Sequence, residues 1–134
     1  RAYNYNDLLH IAERQIEQMI EYTTKCSGFL FVDTYLIITK IWFLKVFGKY
    51  PGWLDQEIRK TTNDIYLLCK PDIPWIPDGV RENGGEKRDL LFKDYLNEIK
   101  NHSLRYIYIE GDWNIRLNNA IQAINKIITE RKLI

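Results

Sequence analysis

Four segments of the chain carry apolar residues at the three-to-four-residue spacing of an amphipathic helix. These segments are residues 4–25, 53–62, 86–100 and 113–131. A fifth helix is predicted over Leu36–Phe47, where apolar side chains lie on nearly every side. A helix with that pattern is buried on more than one face.

Three short apolar runs predict strands that are buried on both faces, as in a parallel sheet. They are Phe29–Val32, Ile65–Leu68 and Tyr106–Ile109. Because these strands alternate with helices, the sequence predicts an α/β fold with about three parallel strands and flanking helices. The length of 134 residues is that of one domain.

A proline-rich stretch, Cys69–Glu82, follows the second predicted strand and holds three of the four prolines in the chain. Each proline fixes φ and lacks an N–H donor, so no regular helix or central strand runs through it. The stretch also carries Asp72, Trp75, Asp78 and Arg81, and two glycines follow at 84 and 85. This pattern fits a lid over a site at the end of a strand, and it fits an ordinary connection equally well.

Composition excludes several classes of protein. The net charge of +1 gives no electrostatic reason to expect binding to nucleic acid or to an anionic membrane. Cys26 and Cys69 lie far apart and form no Cys-x-x-Cys pair, which favours a reduced, cytoplasmic protein. The two histidines, His10 and His102, have no partner at metal-ligand spacing, and both are interpreted as surface residues.

Three blocks, in order along the chain, carry a family resemblance. The first is Phe31–Thr34 followed by Thr39, Trp42, Phe47-Gly48 and Pro51; the second is Pro71–Glu82; the third is Ile109–Asp112 followed by Arg116 and Ala120. Together they resemble the nicotinamide riboside kinases, the NadR-type P-loop kinases. The resemblance implies that residues 1–134 are the C-terminal portion of one nucleoside-kinase-like domain, with a partial P-loop kinase fold and a proline-rich lid.

This resemblance implies catalytic roles for Asp33, Arg81 and Arg88. In P-loop kinases a carboxylate at the end of this strand holds Mg²⁺ or accepts the proton of the attacking hydroxyl. The alternative for Asp33 is a simple N-cap of the following helix. Lid arginines clamp the transferring phosphoryl group, and the alternative for both arginines is a solvated charge.

The resemblance also implies binding residues. Those expected at the substrate are Thr34, Trp42, Asp72, Trp75 and Asp78, and those expected at the nucleotide are Gly111 and Arg116. An indole such as that of Trp42 stacks well on a cationic pyridinium, although a core tryptophan explains the same residue equally well.

The implied reaction is transfer of the γ-phosphate of ATP, with Mg²⁺, to the ribose 5′-hydroxyl of nicotinamide riboside. The chain contains no Gly-x-x-x-x-Gly-Lys-Ser/Thr loop to cradle phosphates. We therefore expect the fragment alone to be inactive and to bind neither ATP nor Mg²⁺ tightly. Tyr35 stands where the family usually has a second acid, which leaves open a non-catalytic ATPase-like module that binds a ligand or partner.

The missing first strand leads to an expectation about assembly. Strands 29–33 and 65–68 flank that strand in the family, so each would present an open edge. We expect the two to pair directly, and the chain to form a homodimer through exposed strand edges or the 36–47 helix.

Overall fold

A computed structural model describes residues 2–74 and 85–132, and the chain divides into two compact units, Arg1–Thr61 and Thr62–Ile134. The described residues form five helices and two strands. In chain order these are α1 (Tyr5–Lys25), α2 (Leu36–Phe47), α3 (Trp53–Arg59), β1 (Ile65–Cys69), α4 (Glu86–Asn101), β2 (Arg105–Ile109) and α5 (Trp113–Lys132). Among these helices, none combines the length and the apolar character that crossing a bilayer requires.

The first unit is built on the packing of α1 against α2. Helix α1 begins with a capping box, in which the Asp7 N–H donates to Asn4 Oδ1 (2.8 Å) and the Asn4 N–H donates to Asp7 Oδ2 (3.0 Å). Its inner face buries Leu8 and Ala12 completely. The Tyr5 ring packs against Phe43 of α2 with ring centroids 5.1 Å apart. The helical spacing predicted for residues 4–25 is therefore confirmed.

Helix α2 has the predicted bounds, but its burial changes along its length. Its first half is buried, including Leu36, Ile37 and Ile41, whereas Trp42, Leu44 and Val46 are exposed. The prediction of burial on more than one face therefore holds only for the first half. Gly48 ends the helix in the left-handed region at φ +68°, a conformation that glycine adopts without steric cost.

A charged cluster ties α2 to α3. Lys40 Nζ lies 2.7 Å from Asp55 Oδ1, and the Tyr50 hydroxyl donates to Asp55 Oδ2 at 2.8 Å. The Lys40 side chain is only 8% exposed, so the carboxylate offsets the cost of burying its charge. The hydrogen bond that the Tyr50 hydroxyl donates to Asp55 also raises the pKa of Tyr50.

The strand predicted over residues 29–33 is wrong. Residues 29–32 lie in an irregular segment, and their apolar side chains are exposed, from 40% at Leu30 to 69% at Phe31. Pairing of this segment with residues 65–68 is also wrong, because the described sheet contains only β1 and β2. An apolar run becomes a strand only where a neighbouring strand takes up its backbone hydrogen bonds, and the described part of the first unit contains none.

The second unit holds the sheet. Strands β1 and β2 pair in parallel, from Ile65 opposite Arg105 to Cys69 opposite Ile109. Both predicted strands are thus confirmed, and each is one residue longer than predicted. Parallel strands need a crossover connection, and α4 lies within it. Over residues 2–74 and 85–132 the fold is α/β, with two strands in place of the predicted three.

Two further sequence predictions concern this unit, namely the lid and the position of His102. Most of the predicted lid, including Trp75, Asp78 and Arg81, lies outside the described residues. His102 is buried rather than on the surface, since its side chain is 6% exposed and its Nε2 lies 3.3 Å from a Glu98 carboxylate oxygen one helical turn earlier.

Replacing Asp55 with asparagine should lower the free energy of unfolding by about 3 kcal/mol, because the change removes the negative charge that lies 2.7 Å from the buried Lys40 ammonium. Urea unfolding followed by circular dichroism measures the effect. The matched control is Glu57→Gln, which breaks an ion pair with the exposed Lys60 and should cost only about 0.5 kcal/mol. Equal losses from the two changes would contradict the role given to the Lys40–Asp55 pair.

Candidate functional site at the carboxyl ends of the strands

The candidate site lies where β1 and β2 end. Because the strands are parallel, the segment after β1 (residues 70–74) and the turn after β2 (residues 110–112) meet at one edge of the sheet. The Lys70 N–H donates to Ile109 O at 2.8 Å and holds this edge together. Ligands of open α/β sheets bind beyond this edge.

Asp72 links the two segments. Its Oδ2 accepts the Gly111 N–H at 2.7 Å, and its Oδ1 accepts from Arg116. The Gly111 N–H, and then the positive charge of Arg116, hold the pKa of the Asp72 carboxyl below its usual range. Asp72 is therefore the anionic centre of the turn at this edge.

Arg116 reaches back from the first turns of α5 to the same segment. Its Nε donates to Gly111 O at 3.2 Å, and its Nη2 donates to Lys70 O at 2.8 Å. The side chain is 14% exposed. The structure thus brings together three predicted site residues, Asp72, Gly111 and Arg116, although the first and last are 44 positions apart in sequence.

Gly111 is required sterically at its position. It has φ +101°, and a Cβ atom built on it would lie 2.6 Å from Ile115 Cγ2 in α5. The next residue, Asp112, caps α5 by accepting the Ile115 N–H at 3.2 Å. The chain therefore turns tightly from β2 into α5, with room only for glycine at the turn.

Arg88 holds the other side of the segment after β1. It lies in the first turn of α4, where its Nη1 donates to Ile73 O (2.6 Å) and its Nη2 donates to Pro71 O (3.1 Å). Its Nε is buried and has no hydrogen-bond partner within the described ranges. Arg88 is thus fixed in place while its buried Nε–H stays without a partner among the described residues.

A cleft of about 540 Å³ lies beside this network. Its lining residues are Cys69, Lys70, Pro71, Ile73, Pro74, Arg88, Leu91, Phe92, Tyr95 and Trp113. The cleft combines aromatic and aliphatic walls with the positive side chains of Lys70 and Arg88. This composition suits a flat, apolar group that carries negative charge.

Sequence reasoning missed Lys70 and Glu110, which form an ion pair across the edge at 2.8 Å, and Trp113 in the cleft wall. Lys70 Nζ also lies 4.7 Å from the centre of the Tyr108 ring. The available signal was position, because Glu110 directly follows one predicted strand and Lys70 stands two positions after another.

Three further predicted site residues, Asp33, Thr34 and Trp42, lie in the first unit. Asp33 and Thr34 form a bend before α2, and Thr34 has φ +68°, an uncommon and costly conformation for a β-branched residue. The N-cap of α2 is Tyr35, so the interpretation of Asp33 as that cap is wrong. The exposed Asp33 carboxylate has no hydrogen bond or ion pair among the residues that the structure describes.

Trp42 is not a core residue. Its side chain is half exposed and stacks on the Tyr3 ring, with centroids 5.0 Å apart and planes inclined by 24°. One face of the indole is thus already covered by an aromatic ring.

The lowered pKa of Asp72 predicts acid sensitivity. A carboxyl whose pKa is lower in the folded state stabilises the fold above its unfolded pKa of about 3.9, and that stabilisation is lost as the pH falls through the folded value. The urea concentration at the midpoint of unfolding should therefore fall less steeply between about pH 5 and pH 2 in Asp72→Asn than in wild type. The control Glu130→Gln, at an exposed carboxylate of α5, should leave the slope unchanged. An unaltered slope in Asp72→Asn would refute the assignment.

Comparison with known proteins agrees with the sequence motifs. Two curated relatives are each called trifunctional NAD biosynthesis/regulator protein NadR. That of Salmonella typhimurium (strain LT2) is 23% identical over 135 residues, and that of Escherichia coli (strain K12) is 22% identical over 136 residues. These alignments cover 97% and 98% of this chain, but 32% of each relative. The chain therefore spans about a third of the length of the relatives it matches.

No solved structure matches the chain. The resemblance to the NadR-type family, drawn from the three sequence blocks, is confirmed by the two relatives. The profile of a protein family described as an AAA domain matches residues 1–116. Since this match covers most of the 134 residues, the chain belongs to the AAA domain family.

Proposed function

We propose that this chain is part of a P-loop kinase that transfers the γ-phosphate of ATP to the ribose 5′-hydroxyl of nicotinamide riboside. Membership of the AAA domain family supports a nucleotide-related ATPase or kinase function. Similarity to the NadR proteins supports a connection with NAD. The structural observation that carries the proposal is the Asp33 carboxylate, which is exposed, unpaired among the described residues and held next to a strained residue.

Strain at Thr34 is informative because a backbone outlier costs about 1–3 kcal/mol and concentrates at functional sites. No capping role explains why a carboxylate stands beside it. In the proposed reaction Asp33 accepts the proton of the attacking hydroxyl or holds Mg²⁺. A single exposed carboxylate fits Mg²⁺, which binds proteins through one or two carboxylates together with phosphate oxygens. When bound, Mg²⁺ would neutralise charge on the transferring phosphate.

The cleft in the second unit is the proposed nucleotide site. Gly111 and Arg116 shape the turn at its edge, and Trp113 and Tyr95 offer aromatic faces to a base. The buried Arg88 Nε–H is a donor without a partner among the described residues, and a phosphate oxygen in the cleft would satisfy it. Trp42 and Thr34 are the proposed nucleoside contacts of the first unit.

The decisive variant is Asp33→Asn in a chain where a Gly-Lys-Ser/Thr phosphate loop precedes this segment. Loss of a base or metal ligand should lower kcat by about 100-fold, while KM for nicotinamide riboside stays within about threefold. A coupled assay of ADP release measures both constants. The control Glu13→Gln removes an exposed carboxylate of α1 and should change neither. A kcat for Asp33→Asn within about threefold of wild type would eliminate both roles.

The alternative function is a non-catalytic ATPase-like module, and Tyr35 in place of the second acid favours it. This alternative predicts that a chain with an intact phosphate loop binds ATP without producing nicotinamide mononucleotide. The same assay, run beside an ATP titration, separates the two functions.

We further propose that the chain self-associates through the exposed segment 29–32. Four consecutive exposed apolar side chains are characteristic of an interaction surface, and the proposed partner is a second copy of the chain. Phe31→Asp should shift the assembly from dimer to monomer in light scattering over a dilution series. Ile20→Asp, at an equally exposed position of α1, is the control and should leave it dimeric. A wild-type chain that is monomeric at high micromolar concentration would exclude self-association.

A further inference from the structure

We propose that Arg116 is a positioning residue, which joins the segment after β1 to the start of α5 and thereby fixes one wall of the cleft without contacting the ligand. This inference departs from the nucleotide contact that the family resemblance implies for Arg116. It rests on the proposed function only for the identity of the ligand.

The described side-chain hydrogen bonds of Arg116 are made by its Nε and Nη2 atoms to acceptors of the protein. Its guanidinium donates to Lys70 O, to Gly111 O and to the Asp72 carboxylate. Lys70 and Asp72 lie on the segment after β1, and Gly111 lies in the turn after β2. The planar guanidinium fork of Arg116 therefore bridges the two. A guanidinium presents its donors in a rigid plane, whereas a lysine ammonium cannot reproduce that arrangement. The side chain is largely buried, and its charge is matched by Asp72.

The same contacts close a ring of hydrogen bonds. Asp72 accepts the Gly111 N–H, Arg116 donates to Gly111 O, and Arg116 also pairs with Asp72. Gly111 cannot move freely within this ring, because α5 lies against it at Ile115. A change at Arg116 should therefore loosen both segments together.

What the ring fixes is the cleft wall. Pro71, Ile73 and Pro74 line the cleft and belong to the segment that Arg116 holds at Lys70 and Asp72. From the other side, Arg88 holds the same segment at Pro71 O and Ile73 O. Two arginines from two helices thus set the position of one short segment of backbone.

The first test measures amide hydrogen exchange in the chain with Arg116→Lys, which keeps the charge and removes the fork. The Lys70 and Gly111 amides donate to Ile109 O and to the Asp72 carboxylate. Both should exchange at least about tenfold faster than in wild type, because Arg116 no longer holds together the two segments that these bonds join. The control Arg105→Lys, at an exposed residue that begins β2, should change neither amide. Unchanged exchange in Arg116→Lys overturns the proposal.

Amides in the middle of α4 report whether the second unit still folds. If Arg116→Lys accelerates them equally, Asp72→Asn replaces it, since this side chain keeps an acceptor for the Gly111 N–H and loses only the charge that pairs with Arg116. Faster exchange confined to residues 70–73 and 111 then supports the ring. Unchanged exchange at those residues overturns it.

The second test separates positioning from direct contact by a double-mutant cycle on binding of Mg-ADP. The cycle uses a chain in which a Gly-Lys-Ser/Thr phosphate loop precedes this segment, and binding is measured by NMR titration. If Arg116 acts through the ring, Arg116→Lys and Asp72→Asn should each weaken binding by about fivefold, and the double variant no further. Weaker binding in Arg116→Lys with wild-type binding in Asp72→Asn indicates direct contact and overturns the proposal. If the wild-type chain with its phosphate loop binds no ADP, the nucleotide cleft of the proposed function fails, while the exchange experiment still decides the role of Arg116.

Discussion

The parallel pairing of β1 with β2 is the constraint on which the candidate site depends. It places two segments that are some forty residues apart in sequence at the same edge of the sheet. An antiparallel pairing would send the ends of these strands to opposite edges, and Asp72 could not meet Gly111. The single hydrogen bond from the Lys70 N–H to Ile109 O continues the ladder to the point where the two segments separate.

Beyond that point the strands no longer pair, and arginine side chains donate hydrogen bonds to the backbone carbonyls instead. The carbonyl groups of Lys70, Pro71, Ile73 and Gly111 accept from Arg116 or Arg88 rather than from another strand. A polar carbonyl that is withdrawn from water needs such a partner, and the long planar guanidinium reaches it across a gap that a short side chain cannot cross. Asp72 and Glu110 balance the charges of Arg116 and Lys70, and the Arg88 guanidinium supplies a further positive charge beside the cleft.

Apolar surface left uncovered is the other consequence of a sheet with only two described strands. Phe29–Val32 in the first unit, and Leu117 and Ile121 of α5 in the second, follow patterns that predict burial, yet all are exposed. Burial is a property of what lies opposite a side chain, and a narrow sheet offers little area to cover a helix of twenty residues. The same patterns in the sequence therefore indicate a capacity for contact that these units do not fully use.

The sequence by itself determined the elements whose formation depends on local rules. The bounds of α2, the positions of β1 and β2 and the start of α5 follow from apolar spacing, from Gly48 and Gly111 and from the capping residue Asp112. The family resemblance named Asp72, Gly111 and Arg116 among the site residues, and the structure brings these three together at the edge of the sheet.

Only the tertiary structure decided how those residues are used. Three features depend on which segments meet in space. They are the pairing of Asp72 with Arg116, the hydrogen bonds of the Arg88 guanidinium to backbone carbonyls, and the exposure of residues 29–32. Side chains that are so far apart in sequence leave no periodic pattern that would predict their contact. An apolar run has the same sequence whether or not a neighbouring strand is present to pair with it. For that reason the sequence predicted only some members of the site. The packing of strands and helices added Lys70, Glu110 and Trp113 and decided the connections among all of them.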